Sequence, residues 1–193
     1  MRGVEQIPWL YDAMFFVMDR TGLGRWRDWL AKGAKGRTLE VGCGTGRNLP
    51  RYSVETLVAL EPDADTLAKA KRRAPNALFV RASAQALPFR EGAFDTVVSS
   101  LVFCSVPDPR AGLAEVKRVL KDDGELRMME HVRGEGVGGA VRDFVQPAWT
   151  KVAGGCFPNR RTEETVQESG FQILAEGRKR NGTMRRFSAK KSS

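Results

Sequence analysis

The stretch Leu39-Glu40-Val41-Gly42-Cys43-Gly44-Thr45-Gly46 constrains this chain more than any other, because an apolar strand end runs there into three glycines at alternate positions. A polar turn, Lys35-Gly36-Arg37, precedes it, and Thr56-Leu57-Val58-Ala59-Leu60-Glu61 follows as a second strand that ends in an acid. Glycine has no Cβ, so the backbone turns sharply and lets a ligand come close. An acid at the tip of the next strand accepts hydrogen bonds from both hydroxyls of a ribose. Together they describe a pocket for an adenosine-containing cofactor.

Strands and helices alternate beyond this point. The patterning predicts strands over 38–41, 57–60, 78–81, 94–100 and 125–130, a short helical turn ending near Tyr52, and helices over 64–73 and 110–120. Pro62 and Asp63 start the first of these helices, and Leu113, Val116, Val119 and Leu120 share one face of the second. Asp108 reads as the N-cap of that second helix. A helix over 162–169 leads to a strand over 171–177, and the turn signal Asn181-Gly182 sets 183–187 antiparallel beside it. This alternation implies a mostly parallel sheet with right-handed crossovers and helices on both faces. Ligands in such sheets bind outside the carboxyl ends of the strands.

The dinucleotide fingerprint is G-x-G-x-x-G, whereas Gly42 to Gly46 reads G-x-G-x-G with Glu40 ahead of it. Glu-x-Gly-x-Gly-x-Gly resembles the signature of class I S-adenosylmethionine-dependent methyltransferases. Ala84-Gln85-Ala86-Leu87-Pro88-Phe89, with Phe94-Asp95 after it, resembles a segment of their ubiquinone-biosynthesis-like group. So does the helix carrying Glu115, Arg118, Val119 and Leu120. Ser100 to Val106, Met129-Glu130-His131-Val132, Pro147-Ala148-Trp149 and Gly155-Cys156 are similar to the animal alkyl-thiol methyltransferase-like proteins, and bacterial phospholipid N-methyltransferases match less closely. The similarity spans about residues 37–174.

The resemblance implies an α/β Rossmann-like fold, with a seven-stranded mostly parallel sheet closed by an antiparallel C-terminal hairpin strand. It implies S-adenosyl-L-methionine as cofactor, held by Tyr11, Glu40, Gly42, Cys43, Gly44, Gly46, Asn48, Glu61, Pro62, Ser83, Ala84, Gln85 and Leu101. Glu40 orders the amino-acid tail of the cofactor directly or braces the loop. Ser83 stands where many relatives have Asp, so the adenine is expected to rest on the Ser83 hydroxyl and on backbone groups of Ala84 and Gln85. The turn 121–124, Lys-Asp-Asp-Gly, replaces the family's Pro-Gly-Gly. Cys104, His131 and Trp149 are the candidates for the acceptor pocket.

The chain of 193 residues suits one domain, with 1–36 as an N-terminal helical lid and 37–193 as the core. Trp9, Trp26 and Trp29 fall in the first part, where helical stretches are expected over 9–20 and 24–32. The first stretch packs on the core, closes as a lid, or grazes a membrane surface. The net charge of +9 suits solubility, an anionic surface or nucleic acid. The terminal basic run holds only Phe187 as an aromatic, so no obligate nucleic-acid partner is expected. Three cysteines without a C-x-x-C pair give neither a disulfide framework nor a zinc site, and no metal is expected. No stretch suits a bilayer span, a signal peptide or the apolar anchor of the animal relatives, so a cytoplasmic location is expected, with at most peripheral membrane contact. Oligomeric state stays open.

The acceptor is expected to be small or amphiphilic, with a thiol first, a phospholipid amine second and RNA third. A non-catalytic cofactor-binding module is the alternative of another class. His131, the only histidine, follows the fifth strand and acts either as a general base or as a loop cap. Neighbouring Glu130 orients it or pairs with a cation. Cys104 is read as a packed thiol, because direct methyl transfer needs no covalent intermediate. Trp149 walls the acceptor pocket or fills core.

Overall fold

Eight strands form one sheet in the computed structural model, which describes residues 19–132, 157 and 159–192. In chain order they are β1 (Arg37–Val41), β2 (Thr56–Leu60), β3 (Leu78–Val80), β4 (Phe94–Ser100), β5 (Leu120–His131), β6 (Phe171–Ile173), β7 (Lys179–Asn181) and β8 (Met184–Lys191). They lie in the order β3-β2-β1-β4-β5-β8-β6, with β7 paired beside β8. The pairs from β3 to β5 are parallel, while β8 runs antiparallel to both β5 and β6. The expected class is therefore the observed one, with one strand more.

That extra strand corrects the reading of the C-terminal hairpin. The Asn181-Gly182 turn joins β8 to the short β7, through Asn181 opposite Met184. The strand expected over 171–177 stops at Ile173, which pairs with Ala189 at the far end of β8. The turn at 121–124 is also absent as a separate feature. β5 begins at Leu120, and the irregular register between Phe94 and Thr96 absorbs the extra residues.

Four helices cover the sheet among the described residues: α1 (Gly24–Lys32), α2 (Ala64–Arg73), α3 (Pro109–Val119) and α4 (Thr162–Glu168). A π-type turn, Asp19–Leu23, precedes α1. Alternation along the strands sorts the two faces. Leu39, Val41, Val97, Leu126, Met128 and Phe187 pack with Leu113, Val116 and Val119 of α3 and Val166 of α4. Ala59 packs with Leu67 and Ala70 of α2, and Val98 and Met129 pack with Leu30 of α1. Phe94, Phe103, Phe171 and Phe187 are fully buried, each contributing about 1.5–3 kcal/mol.

Both long crossover helices start as the sequence suggests. Asp63 Oδ1 accepts the Thr66 amide at 2.8 Å, and Asp108 Oδ1 accepts the amides of Arg110 and Ala111 at 3.0 and 3.1 Å. The C-terminus of α1 is held by β5 instead. Arg127 Nη2 donates to Trp29 O at 2.7 Å and Nε to Leu30 O at 3.2 Å, while its guanidinium lies 4.0 Å from the centre of a Trp29 ring. A cation there also suits the negative end of the helix dipole. The expected helix over 9–20 lies almost wholly outside the described residues.

Candidate active site

β1 ends where the backbone must turn within van der Waals reach of the neighbouring loop. Gly42 has φ +65, and a Cβ on it would sit 2.6 Å from Val102 Cγ2. Gly46 has φ +82, and a Cβ there would sit 2.9 Å from Ala70 Cα, so it lets α2 pack close. These two positions explain the outer glycines. Gly44, also at positive φ, faces open space on the cleft side.

The turn opens into a cleft of about 520 Å³ at the carboxyl ends of β1, β2 and β4. Of the expected cofactor residues, Glu40, Gly42, Cys43, Gly44, Asn48, Glu61, Pro62, Ser83, Ala84, Gln85 and Leu101 all line it. Gly46 does not, and its place is the packing contact with α2. Tyr11 lies outside the described residues.

Two carboxylates flank the turn. Glu61, at the tip of β2, accepts the Gly44 amide on Oε2 at 3.0 Å and the Asp63 amide on Oε1 at 3.1 Å. Burial raises its pKa, against the pull of those two amides. Glu40 is 1% exposed, and its Oε1 accepts Asn48 Nδ2 at 2.7 Å. Asn48 Oδ1 in turn accepts Arg27 Nη1 at 2.7 Å, so α1 is tied to β1 through the loop. Burial pushes the Glu40 carboxyl up to about 7, with Asn48, Tyr52 and Arg27 pulling against it. Glu40 Oε2 and the Ser100 hydroxyl, both on the cleft, are buried with no hydrogen-bond partner among the described residues. Buried polar atoms left so are expensive, and a polar ligand would satisfy them. Burial pushes the Cys43 thiol well above its ordinary range, and nearby Glu40 and Glu61 add to this, so it is a neutral packed group.

The loop on the far side is held by α3. Glu115 Oε2 accepts the Leu87 amide at 2.7 Å, while Arg118 donates to Leu87 O at 2.9 Å and Phe89 O at 2.7 Å. The two side chains also pair with each other at 2.7 Å. That is the physical content of the Glu115–Arg118 spacing: it fixes the 83–89 loop. The Ser83 Oγ accepts the Gln85 amide at 3.2 Å and turns the loop locally.

Two of the acceptor candidates, Cys104 and His131, do not line the cleft. Cys104 is buried, its Sγ 3.7 Å from the Ser105 hydroxyl. His131 is half-buried at the end of β5, opposite Met184 of β8, and neither residue lines the cleft. Trp149 and Cys156 lie outside the described residues. Among the described residues, Glu130 neither bonds His131 nor pairs with a cation. Fully buried, it accepts the Ser99 hydroxyl at 3.0 Å and the amides of Val102, Phe103 and Cys104 at 3.1, 3.2 and 3.4 Å. Burial raises its pKa against those donors. The first residue of that loop, Leu101, sits at φ +60, a conformation costing a leucine roughly 1–2 kcal/mol.

Sequence reasoning missed Arg27, Arg47 and Ser100 as lining residues. A signal for Arg27 was present. It sits at helical spacing with Leu23, Leu30 and Ala31, and a lone cation in an apolar stripe points to a buried polar task.

Residues 39–128 match the methyltransferase domain family. Over 155 residues the chain is 32% identical to a thiol S-methyltransferase of Homo sapiens, covering 74% of this chain and 63% of that protein. Over 103 residues it is 34% identical to a phosphatidylethanolamine N-methyltransferase of Cereibacter sphaeroides, covering 50% of this chain and 51% of that one. The chain thus spans less than two thirds of the length of these relatives. Among solved structures it shares its fold with an S-adenosylmethionine-dependent methyltransferase of Thermotoga maritima described as a possible histamine N-methyltransferase. The TM-score is 0.75 at 21% identity, with 97% of each chain covered.

Proposed function

We propose that the chain, whose residues 39–128 match the methyltransferase domain family, is a class I S-adenosylmethionine-dependent methyltransferase that moves a methyl group to a small or amphiphilic acceptor, a thiol first. One observation carries the reading: the Gly42–Gly46 turn opens one cleft between the buried Glu40 carboxylate of β1 and the half-buried Glu61 carboxylate at the tip of β2. The donor set fits the cofactor. Glu61 would take the ribose hydroxyls, and Ser83, Ala84 and Gln85 would border the adenine. Glu40 Oε2 and the Ser100 hydroxyl would take the ammonium, and Arg27 the carboxylate. When bound, the sulfonium supplies an activated methyl and a good leaving group.

The chain's own work is to orient and to exclude water. Holding an acceptor in line supplies roughly 7–11 kcal/mol of a barrier of this kind. Leu101, Val102, Val106 and Pro107 give the cleft an apolar wall, which suits an alkyl chain. A thiol is a few per cent ionised near neutral pH and needs only modest help. A phospholipid amine is the second reading, supported by the +9 net charge and by the similarity to the Cereibacter protein. Turnover of labelled cofactor against thiols, phosphatidylethanolamine vesicles and RNA in parallel tests both. Tight binding of S-adenosylhomocysteine with no turnover on any acceptor would leave a cofactor-binding module.

A further inference from the structure

The wall of the cleft opposite the glycine turn is the loop over 101–107, which contributes Leu101, Val102, Ser105, Val106 and Pro107 to the lining. Its shape is imposed from outside. On one side the Glu130 carboxylate accepts three consecutive amides, Val102, Phe103 and Cys104. On the other side Arg160 Nη1 donates to Phe103 O at 2.6 Å and Val106 O at 2.5 Å. The guanidinium lies 4.6 Å from the centre of the Phe157 ring, and the Phe157 amide donates to Cys104 O at 2.8 Å. A carboxylate only accepts and a guanidinium only donates, so each matches the face of the loop it meets.

We propose that Glu130 and Arg160 are positioning residues for the methyl acceptor, acting as a two-sided clamp that fixes the 101–107 loop as the acceptor wall. Neither side chain lines the cleft, so both act through the loop's backbone. Phe103 is gripped twice, by its amide and by its carbonyl, which couples the two halves of the clamp. The proposal rests on the reading that an acceptor meets the cofactor at this wall. Misplacing a reacting atom by about 1 Å costs on the order of a hundredfold in rate, so a loosened wall is felt in turnover.

The test uses Glu130→Gln and Arg160→Met in the full chain. Glutamine turns an N–H group toward amides that need an acceptor, and methionine keeps bulk without donors. Three readouts are taken: hydrogen exchange of the Val102, Phe103 and Cys104 amides, the Kd for S-adenosylhomocysteine, and kcat and KM on a turned-over thiol or lipid acceptor. Both variants are expected to speed exchange at those amides at least about tenfold. The product Kd should stay within about threefold while kcat/KM for the acceptor falls about tenfold or more. Parent-like exchange in Arg160→Met, which touches none of those amides, overturns the clamp even if Glu130→Gln does not fold. Unchanged kcat/KM in either folded variant, or product affinity falling in step with the rate, overturns the positioning role. Should the parent chain turn over no acceptor, the enzymatic reading fails, and exchange still decides the clamp.

Discussion

At the scale of single residues, the two carboxylates beside the glycine turn act in different ways. Glu61→Ala removes the acceptor expected to meet the ribose, and charged hydrogen bonds contribute about 1.5–3 kcal/mol each. Calorimetry should show S-adenosylmethionine affinity lower by at least about tenfold. Glu40 is legible in the stability of the cofactor-free chain. Its pKa of about 7 lies above the usual 4.5, so between those values the folded chain keeps a proton that the unfolded chain has lost. Stability falls as pH rises through that window, and above it the charge costs on the order of 3 kcal/mol. Glu40→Gln is therefore expected to melt several degrees higher than the parent at pH 8, with the gap closing toward pH 4. The same substitution should weaken the cofactor. His131→Ala separates the two roles read for this residue: kcat kept within about threefold leaves a loop cap, and a loss of a hundredfold or more, in the range of a general base, makes it the base. Glycines and strand-tip acids were readable because their spacing is local. Ser100 and the true partners of Glu130 were not, because sheet register decides which side chains meet.

At the scale of elements, the boundaries held where capping chemistry is local. Helix 64–73 was read to the residue, since Asp63 caps it and Pro75 follows. The C-terminal hairpin was misassigned for the opposite reason. The Asn181-Gly182 signal fixes a turn but not which of two earlier segments pairs across it. The anchoring of α1 was also invisible in sequence, since its last carbonyls are met by Arg127 from β5, 97 residues away from Leu30. Arg127→Ala should therefore loosen α1 and, through Arg27 and Asn48, the glycine loop. Losing these contacts in a buried setting is expected to cost about 2–4 kcal/mol, read as a lower denaturation midpoint. Lysine at 127 should restore little, because it cannot reach two carbonyls and stack on Trp29 together.

At the scale of the whole molecule, the +9 charge separates the two acceptor readings. Association with anionic vesicles would fade between about 0.05 and 0.5 M salt as screening shortens its reach. Turnover of a small thiol should persist across that range, and parallel loss of both would favour the lipid. The sheet order carries a consequence for biosynthesis. β8 slots between β5 and β6, so the strands made earlier wait with open flanks until residues 184–191 leave the ribosome. Until then β5 offers unpaired backbone to any neighbouring nascent chain. A pause in translation before that stretch would thus leave the protein prone to clumping.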